Sequence, residues 1–185
     1  MTESKLNAAI AILVSISAVF ISVFNIKDGN IVQAMSQSQA HAIDAWSYYQ
    51  AKSTKQHIAE NSKDQLQTQL AINDRLNKAA NELLHGKISF FEAQIQKYDK
   101  EKAEIKTKAE DFQKEYDTLN IRDDQFDIAE AFLSISIALF GIAALTQQTR
   151  LCYFAVGLSS LGILFGISGF AGWNLHPDWL AAFLS

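Results

Sequence analysis

Three long stretches of the sequence contain almost no charge, and this feature constrains the fold more than any other. They are residues 8–26, 128–145 and 151–173, and Glu130 is the one charged residue inside them. A helix rises about 1.5 Å per residue, so roughly 20 apolar residues match the roughly 30 Å hydrocarbon core of a bilayer. Three such stretches in one short chain predict membrane-spanning helices rather than the buried helices of a soluble protein.

With their flanking residues, the predicted spans cover 6–27, 124–146 and 151–173. The first is expected to be an uncleaved anchor, because no cleavage motif of small residues follows it. The second and third are so close in sequence that they predict a tight antiparallel pair. The remaining residues, 174–185, are expected to form a short tail at the membrane interface.

The charged residues are concentrated between the first and second stretches. Fourteen of the 16 basic and 17 of the 20 acidic residues lie between positions 27 and 127. This nearly balanced mixture argues against a nucleic-acid-binding surface, so no nucleic-acid partner is expected. A single cysteine, Cys152, excludes an internal disulfide and a multi-cysteine metal site.

The second half of the charged segment has the pattern of a coiled-coil helix. From residue 89 to 119, apolar side chains recur every seven residues in two registers, with Lys102 intruding. Whether this seam pairs within one chain or between chains is left open by the pattern. The seam residues are Phe91, Ile95, Tyr98, Ile105, Phe112 and Tyr116.

A helix preceding this seam is expected to pair with it as an antiparallel hairpin over 56–122. Gly86 follows a helical run, as glycine does just past a helix end, so the tip is predicted at 85–88. The outgoing helix has a weaker seam, in which the apolar residues are Ile58, Ile72, Leu76, Ala79 and Leu83.

The segment from the first span to the predicted tip is about 25 residues longer than the helix that returns from the tip. About 25 residues of this segment must therefore lie outside the helical pair. Residues 30–55 are predicted to form a separate amphipathic helix after a break at Asp28-Gly29-Asn30, lying along the bilayer surface or packing against neighbouring subunits. A second break is predicted at 120–124. The side chains expected at the interface are Trp46, Tyr48, Tyr49 and Lys52.

Small residues in helical register mark faces on which the spans can pack. In lipid, close approach of backbones at small residues holds helices together, because no hydrophobic drive acts between them. The first span carries Ala11, Ser15, Ala18 and Ser22 on one face, and the third carries Gly162 and Gly166 in a GxxxG motif.

The run Ala45-Trp46-Ser47-Tyr48-Tyr49-Gln50-Ala51-Lys52-Ser53-Thr54-Lys55-Gln56 resembles the signature of the bacterial membrane family known as domain of unknown function 4337. The order of elements is similar too: one span, a charged helical middle, then two spans. The resemblance covers nearly the whole chain and implies a bacterial membrane protein. It transfers no activity and no catalytic residue.

Chemistry-bearing residues are few. Two histidine–acid pairs, His41 with Asp44 and His57 with Glu60, are interpreted as surface polar pairs, and no catalytic set, cofactor or metal is expected. Glu130 is the exception, because an acid inside a span is a candidate for ion passage. In an oligomer, Glu130 would form a ring of acids at a pore mouth.

The sequence therefore predicts an all-α membrane protein with one N-terminal and two C-terminal spans and a long coiled-coil-like hairpin between them. Its expected role is non-enzymatic: a self-associating structural module of the bacterial inner membrane, contacting lipid and copies of itself. Two alternatives are an ion channel or transporter using Glu130, and an accessory subunit gripping an unidentified protein. The basic residues that flank the spans favour a cytoplasmic hairpin slightly over the opposite orientation.

Overall fold

The structure is a computed structural model, and it describes residues 3–72, 78–173, 175 and 177. Within this part of the chain there are three α-helices and no strand: α1 (Glu3–Ile72), α2 (Lys78–Thr146) and α3 (Thr149–Ala171). Each helix contains a segment that is long and apolar enough to cross a membrane. The apolar stretches predicted as spans lie at the start of α1, at the end of α2 and along α3.

The structure differs from the sequence prediction at three of the proposed interruptions. The predicted breaks at 28–30 and 120–124 and the predicted tip at 85–88 are all helical, so α1 ends at Ile72 instead. A glycine inside a helix costs only about 1 kcal/mol relative to alanine, less than the backbone bonds and packing that the continuous helix keeps. No neighbouring atom lies near the missing Cβ of either Gly29 or Gly86, so neither glycine marks a close contact.

The chain divides into two compact units. The first, here the three-helix unit, comprises Met1–Gln37 and Glu115–Ser185. Its core contains two clusters of buried apolar side chains contributed by the apolar stretches and the residues next to them. The first cluster holds Leu6, Ile10, Phe140, Ala143, Cys152 and Ala155, and the second holds Phe24, Ile31, Met35, Phe126, Ala129 and Leu133.

The other compact unit, here the hairpin unit, is Ser38–Lys114 and contains parts of α1 and α2. On α2 the less exposed positions follow a seven-residue repeat, and they include the predicted seam residues Phe91, Ile95, Tyr98, Ile105 and Phe112. Tyr116, also predicted for this seam, packs in the three-helix unit. The seam of the hairpin unit is covered by α1 of the same chain, where His41 lies 5.1 Å from Phe112 between ring centroids.

The seam on α1 is not in the predicted register. Its less exposed positions are also spaced alternately by four and three residues, but they are mostly small or polar, whereas Ile58 and Ile72 are 61% and 77% exposed. Leu76 lies outside the described residues. The register was missed because α1 contributes small side chains to the seam and α2 contributes large ones. The α1 positions are Ser38, Ala42, Ala45, Tyr49, Lys52, Gln56 and Ala59.

A two-residue connection joins α2 to α3. Gln147 has a positive φ of 57°, and its side-chain amide donates to Ala144 O at 2.6 Å and to Asn7 Oδ1 at 3.1 Å. α3 ends at Ala171 and is capped by Gly172, whose φ of 66° is the left-handed conformation that glycine adopts without strain.

Candidate functional site

A polar contact in the hairpin unit is built from the segment that resembles the family signature. Lys52 Nζ of α1 lies 2.6 Å from Glu101 Oε2 of α2, and 5.1 Å and 5.6 Å from the ring centroids of Tyr48 and Tyr98. The hydrogen bond between the two charged groups raises the pKa of Lys52 and lowers the pKa of Glu101. Both groups are therefore held in their charged forms at neutral pH.

A second lysine completes this contact from the opposite helix. Lys102 Nζ of α2 donates to Gln56 Oε1 at 3.0 Å and lies 5.2 Å from the ring centroid of Tyr49. Each lysine thus crosses the seam to an aromatic ring and a polar group on the other helix. Ion pairs and cation–π contacts of partly shielded groups stabilise one alignment of two helices. We call these residues the lysine–tyrosine cluster: Tyr48, Tyr49, Lys52, Gln56, Tyr98, Glu101 and Lys102.

The structure therefore places two of the four predicted interfacial residues, Tyr49 and Lys52, in contact with α2, whereas Tyr48 contacts Lys52 of its own helix. Trp46 packs edge-on against Tyr49, with ring centroids 5.7 Å apart. Sequence reasoning missed the partners Glu101 and Lys102. The available signal was Lys102 itself, because a charged residue in an apolar seam requires a polar partner across it.

An apolar groove begins at the lysine–tyrosine cluster. It has a volume of about 340 Å³ and is lined by Lys55, Ile58, Ala59, Phe90, Phe91, Gln94 and Tyr98. A second cavity of about 400 Å³ shares Phe90 and Phe91 with it and continues toward Lys87. We call the two together the phenylalanine groove. Its walls include Ile58 and Phe90, which are 61% and 58% exposed, so the groove is open on its outer side.

Glu130, the acid within a predicted span, has a partner in the same chain. The side-chain amide of Asn25 on α1, in the orientation that satisfies both groups, donates to Glu130 Oε2 at 3.0 Å and to Ile21 O at 3.2 Å. This contact between α1 and α2 gives the carboxylate a polar partner within an otherwise uncharged stretch.

Just outside the apolar stretches, Asp28 of α1 and Asp123 of α2 share a hydrogen bond. Burial and the adjoining Asp28 raise the pKa of Asp123 from 3.8 to about 7. Burial also raises the pKa of Asp28. A proton shared between the two carboxyl groups therefore joins α1 to α2 at mildly acidic pH.

We expect Asp123→Asn to remove part of the pH dependence of stability. Because the folded pKa of Asp123 is the higher one, the folded state binds more protons than the unfolded state between about pH 4 and 7, and stability falls as pH rises through that window. Above pH 7 the Asp123→Asn variant should therefore be more stable than the wild type. The difference in free energy of unfolding should be on the order of 1 kcal/mol, as expected for half-buried groups, which corresponds to about 2–4 °C in Tm. Thermal unfolding at pH 5 and pH 8 measures it. The exposed Asp64→Asn is the control, and an equal gain at both pH values would contradict the prediction.

Gly162 and Gly166 of α3 lie at close contacts with the other helices. A Cβ on Gly162 would be 2.9 Å from Leu133 Cγ and 3.0 Å from Ala129 O, so α2 packs directly on this backbone. A Cβ on Gly166 would overlap the ring of Phe24 from α1. Gly162 and Gly166 therefore contact two different helices of the same chain.

The face of small residues that was predicted for packing on α1 is exposed. Ala11, Ser15 and Ser22 are exposed, as is Ala18, and the two serine hydroxyls donate to carbonyl oxygens of their own helix. One residue of α1 that does meet α3 is Ser17, whose Oγ lies 3.0 Å from Ser159 Oγ in a buried hydrogen bond. Within the chain, α1 thus packs on a face different from the one predicted.

We expect Ser17→Ala to destabilise the three-helix unit by about 0.6–1.7 kcal/mol, the range for hydrogen bonds between helices in membranes. It would leave the buried Ser159 hydroxyl without its partner across the helices. Unfolding in mixed detergent micelles, followed by circular dichroism, measures the loss. Ser22→Ala is the matched control, because that exposed hydroxyl bonds only within its own helix. Equal losses in the two variants would contradict the prediction.

Residues 6–172 match the family model described as Domain of unknown function (DUF4337). The chain belongs to this family. No curated protein and no solved structure matches it significantly. The match extends from the first predicted span to the end of α3, so the signature run, the hairpin unit and the glycine contacts all lie inside the DUF4337 region.

In this DUF4337 chain, the signature run supplies four members of the lysine–tyrosine cluster: Tyr48, Tyr49, Lys52 and Gln56. The remaining three come from α2. A run of aromatic and basic residues that looks interfacial in sequence thus contacts the partner helix of the hairpin. Among the described residues, no cluster of three or more histidine, cysteine or acidic side chains could hold a metal ion.

Proposed function

We propose that this chain is a non-enzymatic integral protein of the bacterial inner membrane whose hairpin unit binds protein, in the first place a second copy of itself. The observation that carries the proposal is the phenylalanine groove. Large side chains such as Phe90 and Ile58 are more than half exposed beside a cavity, outside the apolar stretches that would be covered by lipid. Exposed apolar surface of this kind marks interaction sites.

The exposed small face of α1 supports the same proposal. Ala11, Ser15 and Ser22 are exposed in the described part of the chain, so this face can pack against a span of another subunit. The bilayer would then hold the subunits parallel, and the hairpin units would be brought together at high local concentration.

Native mass spectrometry of the protein in nanodiscs tests the proposal. We expect a defined homo-oligomer, and we expect Phe90→Ser to shift it toward the monomer. Leu83→Ser is the matched control, because Leu83 is as exposed as Phe90 but does not line the phenylalanine groove. A monomeric wild-type protein would contradict the self-association proposal. Stoichiometric co-purification of a foreign protein would favour the role of an accessory subunit instead.

A further inference from the structure

A small pocket lies where the end of α3 meets α2 in the three-helix unit. Its volume is about 210 Å³, and it is lined by Thr118, Ile121, Arg122, Gly172 and Trp173. Gly172 lets the chain pass close to the guanidinium, because a Cβ there would lie 3.0 Å from Arg122 Nη2. The pocket is smaller than the roughly 300–1,000 Å³ of sites for drug-sized ligands, so it suits a single small group.

The guanidinium of Arg122 is not neutralised by any of the described residues. Within the described part of the chain it forms no ion pair, although the residue is half-buried. The residues one helical turn away on α2 are uncharged: Thr118, Leu119, Gln125 and Phe126. The two acids that directly follow Arg122 face other groups, since Asp123 bonds to Asp28 and Asp124 accepts a hydrogen bond from Asn120. A guanidinium carries five donors and satisfies them best with carboxylate or phosphate oxygens.

The pocket also lies at the end of the apolar part of the unit. Phe126 contacts Gly169 and Phe170 just inside it, and Trp173 is half exposed just outside α3. If the apolar stretches cross the bilayer, as proposed above, Arg122 is at the level of the lipid headgroups. Tryptophan and arginine are the residues that prefer this level, and phosphate is the anion most abundant there.

We propose that the pocket beside Arg122 binds the phosphate of an anionic phospholipid. The guanidinium holds two phosphate oxygens, the indole of Trp173 lies against the glycerol region, and the acyl chains follow the apolar face of α3 into the bilayer. The site fixes the depth of the three-helix unit in the membrane. It rests on the proposed membrane location but does not require self-association.

Lipid titration of the full chain in detergent, read by native mass spectrometry, tests this site. We expect phosphatidylglycerol to bind more tightly than phosphatidylcholine. We expect Arg122→Gln to lower the affinity for phosphatidylglycerol about tenfold, which is the loss typical of one charge-assisted hydrogen-bonded pair. Arg150→Gln, at the opposite end of α3, is the matched control and should leave the affinity unchanged. Because the assay counts lipids per chain, it is independent of the oligomeric state.

Two further arms make the result decisive. Arg122→Lys keeps the charge but loses the planar guanidinium that can bind two phosphate oxygens, so this variant should also bind phosphatidylglycerol more weakly than the wild type. It replaces Arg122→Gln in the test if the glutamine variant does not fold. Competition with soluble glycerol phosphate separates a lipid site from a site for a free phosphate: a lipid site should be displaced only weakly. Unchanged affinity in a folded Arg122 variant, an equal loss in Arg150→Gln, or full displacement by the soluble phosphate would overturn the proposal.

Discussion

Gly166→Leu is expected to lower the free energy of unfolding of the three-helix unit by 3 kcal/mol or more, roughly the upper end of the range for overpacked cores. The reason is geometric: any Cβ at this position overlaps the ring of Phe24, which is itself almost completely buried. The ring cannot yield easily, because it also contacts Phe126 and Phe170. Unfolding in mixed detergent micelles, followed by circular dichroism, measures the change.

Gly157→Leu is the matched control for this prediction. It lies on the same helix, and no atom comes within 4 Å of its missing Cβ. A second test is a double-mutant cycle with Phe24→Ala, which should recover more than about 1 kcal/mol of the loss, because the two substitutions relieve each other's volume change. Similar losses at Gly157 and Gly166, or strict additivity with Phe24→Ala, would contradict the packing described.

Ile105→Asp is expected to separate the two helices of the hairpin unit, at a cost of about 3–5 kcal/mol. Ile105 is only 8% exposed in the seam, and a carboxylate there would be buried without a partner. The helical segments depend on this seam for most of their stability, because packing rather than propensity stabilises long helices. Limited proteolysis, with cleavage between 38 and 114 read by mass spectrometry, reports the opening.

Ile43→Asp provides the control for the seam. It changes the same residue type within the same unit, at a position that is 59% exposed, so the loss should be below about 0.5 kcal/mol. Equal protease sensitivity of the two variants would mean that the register of the seam is wrong.

The α2 half of the hairpin unit was predictable from sequence, because its seam residues are large and apolar. Phe91, Tyr98 and Ile105 repeat every seven residues, and this repeat alone places them on one face. The three apolar stretches and the family resemblance were also evident from the sequence. The match of the family model over residues 6–172 confirms the resemblance.

The α1 half was not predictable by the same reasoning. Its seam uses Ala42, Ala45 and Ala59, and alanine carries too little apolar surface to mark a face, whereas the conspicuous Ile58 points outward. The predicted breaks failed for a related reason. Gly29 and Gly86 have strong local preferences for turns, but tertiary packing along continuous helices overrides local propensity.

The lysine–tyrosine cluster has a consequence for how the two helices find their alignment. A seven-residue repeat is degenerate, so sliding α2 by one repeat would keep apolar residues opposite the same face. Sliding would, however, replace Glu101 opposite Lys52 by Gln94 or Lys108, and Lys102 opposite Gln56 by Ile95 or Ala109. Every one-repeat slip therefore leaves Lys52 without its counter-ion. The apolar repeat makes the helices pair, and these few polar contacts select one alignment among several that the repeat alone would allow.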